Sequence, residues 1–366
     1  MSDEPNPELK PLPFLENMTS YLSSPNKVTD EGFTHRLCYN EGAFGLSPKA
    51  LEAIMATLPE THRYPNMMYT SLRKAIAQKF NLDEHRIVAG AGSDELISVL
   101  VNGYLKQDDE VIISRYAFSM YEMAARLVGA KPIMVPEQDL QTDLQAMLKA
   151  VTPKTRMVFM ANPNNPTGSW LSRHDIALFL RDLPENIMFV YDAAYADYVD
   201  DPDYSDGFEW VAEEGRVVVL RTFSKIHGLG GMRVGHAYAP HKIATCMNLV
   251  RKPFNVSRAG EAAAIASLND DEFINRSRAH NFIWREKLFN KLQLLGAKPY
   301  PSKANFILAR FASPDQSVAL FNHLKANSIL VRSMVGYGLI DCLRFTVGQE
   351  HEMLALFAAL KSFNWK

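Results

Sequence analysis

The sequence contains few cysteines and no feature that points to a metal site. The three cysteines of the 366-residue chain, Cys38, Cys246 and Cys342, are far apart and odd in number. They have neither the spacing of metal ligands nor the pairing of a disulfide framework, which is typical of a reducing compartment. We therefore expect a protein without a metal site, located in the cytoplasm.

The chain also lacks a strong net charge and a long apolar run. Lysine and arginine together number 39 and the acidic residues 41, and the formal net charge is −2. Without a long basic block, neither nucleic acid nor an anionic membrane surface is an expected partner. A membrane-spanning helix would need about 18 or more apolar residues in a row, and no such run is present. The polar, proline-rich residues 1–10 also lack the segments of a signal peptide.

What the chain does have is the composition of an ordinary globular protein, with 47% hydrophobic and 22% charged residues. Its length suits two domains. Residues 1–35 contain five prolines and little periodicity, which predicts an extended N-terminal arm. Such an arm either wraps a neighbouring subunit or is a flexible tail.

Between residues 86 and 239, short apolar runs alternate with helical patterns. The runs cover residues 86–89, 110–114, 131–135, 156–161, 187–191, 217–220 and 233–239. Seven strands joined mostly by helical crossovers predict a seven-stranded, mostly parallel sheet covered on both faces, in an α/β large domain at residues 36–245. Ligands of such sheets bind outside the carboxyl ends of the strands.

After about residue 245 the pattern changes. Helical periodicity dominates residues 261–295, and short strands are expected at 304–311, 329–332 and 342–347. This predicts a smaller α+β domain at residues 246–366, which the N-terminal segment joins.

The first strand-to-helix junction reads Gly90-Ala91-Gly92-Ser93-Asp94-Glu95. It matches a dinucleotide-binding fingerprint only in part, because Glu95 stands at the third glycine position and would bring a carboxylate close to a pyrophosphate. Glycines and a serine at a helix N-terminus can instead present free N–H groups to a single phosphate. An ordinary capped helix explains the same fragment.

A lysine follows another buried run. Lys225 lies in the segment between Arg221 and Arg233, just after residues 217–220, among hydroxyls and glycines. A lysine taken alone is usually a solvated surface residue. Its position after a buried strand suggests instead that Lys225 forms a Schiff base with a carbonyl compound.

Three other junctions supply groups that suit a flat, charged ligand. Asp192 ends a buried run, where its carboxylate is costly unless it is paired with a cation such as a protonated pyridine nitrogen. Asn165 lies in a segment of Asn, Pro and Gly that is also typical of a turn. Phe118 could stack on a cofactor ring, although core packing is the commoner role of an aromatic residue.

The order of these motifs resembles the fold-type I pyridoxal-phosphate aminotransferases. The resemblance is carried by Asn165-Pro166-Thr167-Gly168, by Asp192-x-x-Tyr195, and by Ser224-Lys225 with Arg233 eight residues on. More narrowly, the chain from about residue 21 is similar to the histidinol-phosphate aminotransferases. That similarity includes Asn40-Glu41, Tyr64-Pro65, Gly92-Ser93-Asp94-Glu95, Pro253-Phe254-Asn255-Val256-Ser257 and Leu343-Arg344-Phe345-Thr346-Val347-Gly348. It implies an aspartate aminotransferase-like fold.

The resemblance also implies roles for individual residues. Lys225 would bind pyridoxal 5'-phosphate covalently and then act as the base that moves a proton. Asp192 would keep the pyridine nitrogen protonated, and Tyr195 would bond the phenolic oxygen of the ring. Tyr64 would reach the cofactor phosphate of the other subunit, which implies a homodimer with shared active sites. The other implied cofactor contacts are Ala91, Gly92, Ser93, Phe118, Asn165, Thr222, Ser224 and Arg233.

Arg344 matches the family's arginine for the substrate carboxylate, and Arg332 precedes it on an expected neighbouring strand. The planar guanidinium fits a carboxylate or a phosphate through two hydrogen bonds. Tyr21 and Asn255 are further candidates for substrate binding. The expected reaction takes an amino group from histidinol phosphate, as the small-molecule donor, to 2-oxoglutarate, as the 2-oxo acid acceptor, in histidine biosynthesis.

Two segments depart from the family pattern. Asn40-Glu41-Gly42-Ala43-Phe44-Gly45 replaces the usual Asn-Glu-Asn-Pro start, and the lysine loop contains His227 and Gly230-Gly231. These departures bear on the substrate more than on the cofactor. An aromatic amino acid aminotransferase, a pyridoxal-phosphate decarboxylase of the same fold and a non-catalytic binding domain therefore stay open as alternatives.

Overall fold

The computed structural model describes residues 32–365. The helices of this part are α1 (Pro48–Thr57), α2 (Thr70–Phe80), α3 (Ser93–Tyr104), α4 (Met120–Leu127), α5 (Leu144–Lys149), α6 (Arg173–Asp182), α7 (His241–Val250), α8 (Arg258–Leu268), α9 (Asp271–Leu294), α10 (Pro314–Ala326) and α11 (Glu350–Ser362). The strands are β1 (His35–Leu37), β2 (Ile87–Gly90), β3 (Glu110–Ser114), β4 (Lys131–Val135), β5 (Thr155–Ala161), β6 (Met188–Asp192), β7 (Val217–Thr222), β8 (Gly235–Tyr238), β9 (Lys298–Pro299), β10 (Phe306–Arg310), β11 (Ile329–Ser333) and β12 (Cys342–Thr346).

Several helices begin where a short polar side chain can cap them. The Ser47 hydroxyl accepts from the Ala50 amide at the start of α1, where Pro48 occupies the first turn. The Ser257 hydroxyl does the same for Gly260 in α8, and Asp143 for Ala146 in α5. Such caps satisfy amide groups that have no partner inside the helix.

The larger sheet has seven strands in the order β2-β8-β7-β6-β5-β3-β4. All neighbouring pairs are parallel except those of β8, which runs antiparallel to both β2 and β7. The predicted mostly parallel sheet is therefore confirmed. Register places Asp192 beside Ala161 on one side and beside Leu220 on the other, so the carboxyl ends of β5, β6 and β7 form one edge.

Apolar side chains cover both faces of this sheet. Because side chains alternate along a strand, Val218 and Leu220 of β7 pack with α3, α4 and α7, whereas Val217 and Val219 pack against α2, α6 and α8. Burial on both faces explains why these strands read as continuous apolar runs.

A second sheet has the order β1-β11-β12-β10-β9. β1 pairs with β11 in parallel, and β12 is antiparallel to β10 and β11. β1 thus joins the sheet formed by the C-terminal part of the chain, and the segment after it, residues 38–41, passes between the two sheets. Between residues 32 and 365, no helix has both the length and the apolar character that crossing a membrane requires.

Part of the chain after the predicted boundary at residue 245 packs into the core of the large domain. Ala263, Ala264 and Leu268 of α8 belong to the core that also contains Ala50 of α1 and Leu72 of α2. The division into an N-terminal arm, a large domain and a small domain stays a prediction.

Candidate active site

A cavity of about 330 Å³ opens at the carboxyl ends of β5, β6 and β7. Its sides are closed by the start of α3, the loop after β7, Arg332 of β11 and Arg344 of β12. It is the place where a parallel sheet binds ligands. Eleven of the residues predicted from the sequence line it, namely Ser93, Phe118, Asn165, Asp192, Tyr195, Thr222, Ser224, Lys225, Arg233, Arg332 and Arg344.

Lys225 occupies the tight turn that follows β7. Its carbonyl accepts a hydrogen bond from the Gly228 amide at 2.9 Å, and its Nζ donates to the Tyr39 carbonyl at 3.3 Å. Loss of solvent around the amine lowers the pKa of Lys225 to about 8, and the positive charge of Arg344 acts in the same direction. A larger unprotonated fraction makes this amine a better nucleophile than a surface lysine.

Asp192 ends β6 at the base of the cavity and is almost fully buried. Burial raises the pKa of this carboxyl to about 6. Two donors oppose the shift, since the Tyr121 hydroxyl donates to Oδ2 at 2.6 Å and the Ala194 amide to Oδ1 at 3.1 Å. Tyr121 itself is held by a parallel stack on Phe159, with ring centroids 4.7 Å apart. The arrangement holds an acidic group where a cationic nitrogen would be stabilised.

Tyr195 faces the same cavity from the turn after β6. Burial raises the pKa of its phenol to about 12. The Asn40 side-chain amide donates to the Tyr195 hydroxyl at 2.9 Å, and the Asn40 carbonyl oxygen of that side chain accepts from Thr346 at 3.1 Å. Asn40 thereby links Tyr195 to β12. The phenolic proton remains available as a donor into the cavity.

One end of the cavity carries hydroxyl groups and a guanidinium. Thr222 donates to Ser224 at 3.0 Å, and Arg233 donates to the Ser224 hydroxyl at 3.3 Å and to Asp94 at 2.7 Å. Gly92 lies beside them with a φ of +89°, and a Cβ there would approach the Arg233 Nη2 to 2.5 Å. The absence of a side chain at Gly92 therefore leaves room for the Arg233 guanidinium, which lines this end of the cavity.

The structure changes what the first junction offers. The Ala91 amide, predicted as a phosphate donor, instead donates to the Glu95 carboxylate at 2.6 Å. The same carboxylate oxygen accepts from Asn255 at 2.6 Å. Ala91 and Gly92 do not line the cavity, whereas Ser93 does. The Glu95 carboxylate thus holds the junction in place through the Ala91 amide and Asn255. It does not face the cavity, so it does not repel a ligand there.

At the opposite end, Arg332 and Arg344 stand side by side on antiparallel strands β11 and β12. Arg344 donates to the Cys38 carbonyl at 2.8 Å and to the side-chain oxygen of Asn165. Its guanidinium also lies 5.2 Å from the Phe306 ring centroid. Paired arginines at one end of a cavity fit a doubly charged phosphate or a carboxylate.

The other predicted site residues lie elsewhere. The side chain of Asn255 faces Glu95 and the Ala89 carbonyl rather than the cavity. Tyr64 is 77% exposed and stacks on Phe254, with ring centroids 4.5 Å apart. Its predicted contact with a second subunit stays a prediction. Tyr21 lies outside the described residues.

The cavity residues that were not predicted from the sequence include Asn40, Tyr121 and Tyr337. Tyr121 was available in the aromatic segment that contains Phe118, but the sequence does not say which ring faces Asp192. Asn40 lies in a quoted motif without an assigned role, and its left-handed φ of 57° turns the chain towards Tyr195. Tyr337 lines the cavity from the connection between β11 and β12.

Comparison with known proteins identifies the family of the chain. The family model described as aminotransferase class I and II matches residues 35–360. A protein of Paramagnetospirillum magneticum named histidinol-phosphate aminotransferase is 44% identical over 356 residues, covering 96% of this chain and 98% of that one. A protein of the same name from Rhodospirillum centenum is 45% identical over 353 residues, covering 96% and 97%.

The fold is also similar to that of a solved enzyme structure. The crystal structure of histidinol-phosphate aminotransferase from Sinorhizobium meliloti in complex with pyridoxal-5'-phosphate superimposes with a TM-score of 0.88 at 27% identity, over 95% of each chain. The predicted fold class is thereby confirmed. The chain belongs to the aminotransferase class I and II family.

Proposed function

We propose that this protein is a pyridoxal-phosphate-dependent aminotransferase that transfers the amino group of histidinol phosphate to 2-oxoglutarate. The observation that carries this proposal is the convergence of Lys225 and Asp192 with the paired arginines Arg332 and Arg344 in one cavity. Nearly full-length relatives that bear the name histidinol-phosphate aminotransferase support the choice of substrate.

The donor set of the cavity fits pyridoxal 5'-phosphate. The acidic Asp192 suits the pyridine nitrogen, Ser224 and Arg233 suit the phosphate, and Gly92 leaves room for the Arg233 guanidinium. When bound, this cofactor supplies an electron sink for the carbon that loses a proton. The residues of the chain then have to bind, orient and move protons around it.

Lys225 is suited to both tasks that an aminotransferase lysine performs. With a pKa of about 8, about a tenth of the amine is unprotonated at pH 7, which suffices for attack on an aldehyde. The same amine lies near the Tyr195 ring, with Nζ 5.7 Å from the ring centroid, and both residues line the cavity. It can therefore accept a proton from one carbon and deliver it to another.

The two arginines explain how one cavity can serve two substrates. The phosphate of histidinol phosphate and a carboxylate of glutamate each present a pair of oxygens, which a guanidinium binds through two hydrogen bonds. Tyr337 and Phe118 add aromatic surface to the cavity. An aromatic amino acid would fit that surface as well, so the choice of substrate has to be tested against phenylalanine and tyrosine.

We propose further that the protein acts as a homodimer with shared active sites. The outer side of α1 and the loop after it expose Leu51, Met55, Leu58, Met67 and Met68, each about half-exposed, together with Tyr64. An apolar surface of this kind usually marks an interface. Arg258 and Arg251 hold the loop by bonds to the Tyr64 and Met67 carbonyls at 3.2 and 2.6 Å. The cytoplasmic location expected from the sequence also stays a prediction.

The proposal is tested by half-reactions of the purified holoenzyme. We expect histidinol phosphate to convert bound pyridoxal phosphate to pyridoxamine phosphate faster than phenylalanine or tyrosine does, followed by absorbance. Borohydride should fix the cofactor to the wild type and to Lys242→Arg, whose side chain pairs with Glu214 at the surface, but not to Lys225→Arg. Faster turnover of phenylalanine, or carbon dioxide release without pyridoxamine phosphate, would instead identify the aromatic enzyme or the decarboxylase.

A further inference from the structure

Three polar side chains meet on the far side of the larger sheet, behind the active site. They are Asp197, Arg221 and His227. Each is one or two residues along the chain from a cavity residue, namely Tyr195, Thr222 and Lys225 respectively. Because side chains alternate along a strand, Arg221 points away from the cavity that Thr222 lines. The turn after β6, the end of β7 and the loop after β7 are therefore joined behind the cavity.

Arg221 is the most deeply buried member of this group, with only 4% of it exposed. Its Nη2 donates to Asp197 Oδ1 at 2.6 Å, and its Nη1 donates to Asp206 Oδ2 at 3.3 Å. The guanidinium lies 5.1 and 5.5 Å from the ring centroids of Phe80 and Phe208. A buried arginine held by two carboxylates and two rings has little freedom to move.

His227 connects this group to a helix. Its Nδ1 lies 2.7 Å from the Ser267 hydroxyl of α8, and its Nε2 lies 3.8 Å from Asp197 Oδ2. At 3.8 Å the contact between Nε2 and Oδ2 is longer than a hydrogen bond, so it is electrostatic. It is most favourable when Nε2 carries the proton and Nδ1 accepts from Ser267. Burial lowers the pKa of His227 to about 4, so the ring is neutral and acts by its dipole. Lys225 is thus anchored to α8 two residues away.

Asp197 is held from a further direction, since the Arg278 Nε of α9 donates to its backbone carbonyl at 2.7 Å. We propose that Asp197, Arg221 and His227 form a clamp, here called the Asp197 clamp, that positions Lys225 for covalent capture of the cofactor. Its members are positioning residues, because none of the three lines the cavity. This proposal rests on the proposed function, as it assumes that pyridoxal phosphate is the group that Lys225 captures.

The test compares two cofactor forms on the cofactor-free protein. Pyridoxal phosphate bonds to Lys225, whereas pyridoxamine phosphate has the same ring and phosphate but no aldehyde. In Asp197→Asn, which keeps the shape of the side chain and removes its charge, we expect capture of pyridoxal phosphate to slow by on the order of tenfold to a hundredfold, as for a reacting group displaced by about 1 Å. Affinity for pyridoxamine phosphate, measured by fluorescence, should stay within about twofold because the cradle is unchanged.

Control variants separate positioning from general damage. Asp109→Asn removes another buried carboxylate that faces an arginine, Arg156, at 3.6 Å, but it lies at the opposite end of the sheet. It should alter neither measurement. Asp197→Glu keeps the charge and should restore most of the capture rate. If Asp197→Asn does not fold, His227→Leu leaves the pair of Arg221 and Asp197 intact and should slow capture alone by several-fold.

The outcomes distinguish the clamp from the proposed function. If Asp197→Asn and His227→Leu impair pyridoxal phosphate capture and pyridoxamine phosphate binding equally, or change neither, the clamp proposal is wrong and the proposed function stands. If the wild type binds neither pyridoxal phosphate nor pyridoxamine phosphate, both proposals fail together.

Discussion

Replacing Asp192 by asparagine should stabilise the cofactor-free protein at neutral pH while removing a residue of the active site. Asp192 is 4% exposed, and burial raises its pKa from 3.8 to about 6. A raised carboxyl pKa means that the folded state holds the proton more tightly than the unfolded state, so ionisation at neutral pH opposes folding.

The size of the effect follows from that shift. About two pKa units at about 1.4 kcal/mol each correspond to about 3 kcal/mol of unfolding free energy at pH 7. Asparagine offers one acceptor oxygen, so it keeps the bond from Tyr121 or from Ala194 but not both, which costs about 1 kcal/mol. The net expected gain is about 2 kcal/mol.

The pH dependence gives the prediction its sign. Below pH 3.8 the carboxyl is protonated in both states and the gain vanishes, whereas above about pH 6 the gain is constant. Urea unfolding of the cofactor-free wild type and variant, at one fixed protein concentration and several pH values, measures this. Asp143→Asn is the control of opposite sign, because the Ala146 amide and other hydrogen bonds lower the pKa of Asp143 despite a small opposing effect of burial.

Adding pyridoxal phosphate should reverse the order of stability, since a cationic pyridine nitrogen stabilises the Asp192 carboxylate and not an amide. The reasoning would be refuted if the cofactor-free Asp192→Asn protein were no more stable than the wild type at pH 7.5. A gain of the same size at pH 4.5 would also refute it, because it would show that the charge is not the cause.

Three further predictions concern catalysis. Tyr121→Phe removes a donor to the Asp192 carboxylate, so the pKa of Asp192 should rise, and the acidic limb of the kcat/KM profile should move to higher pH with a fall of about tenfold at neutral pH. Arg344→Gln removes a positive charge that lowers the pKa of Lys225, so the pH midpoint of cofactor capture by the cofactor-free protein should be higher in the variant than in the wild type. Arg332→Lys should raise KM for histidinol phosphate by about tenfold and leave the dissociation constant of pyridoxal phosphate unchanged, since lysine cannot form the bidentate contact; an equal loss for both ligands would contradict that assignment.

Most of the larger sheet could be predicted because a strand buried on both faces must be apolar along its whole length. Two predicted strands, 110–114 and 131–135, match β3 and β4 at both ends. The helical pattern at residues 261–295, in contrast, did not show where one helix ends and the next begins. Its apolar periodicity continues across a break at Asn269 and Asp270, where the structure ends α8 and begins α9. Periodicity reports a buried face and not whether the helix axis continues.

The composition of the site could be predicted in large part because the carboxyl ends of parallel strands meet at one edge. That rule places Asp192, Thr222 and Lys225 together before any coordinate is known. It cannot say which residues face each other from different parts of the chain. Asn255 was expected in the cavity, yet its amide satisfies Glu95 instead.

The sequence by itself determined the elements, their order and the residue types that carry the chemistry, because these depend on local pattern and spacing. Only the tertiary structure decided the pKa values and the hydrogen-bond partners of those residues. The pKa of Lys225 depends on burial and on Arg344, which is 119 residues away in the chain. The Asp197 clamp joins the end of β7 and the connections after β6 and β7 to two helices on the far side of the sheet. Distances and solvent exclusion between distant segments are properties of the fold, and no local pattern encodes them.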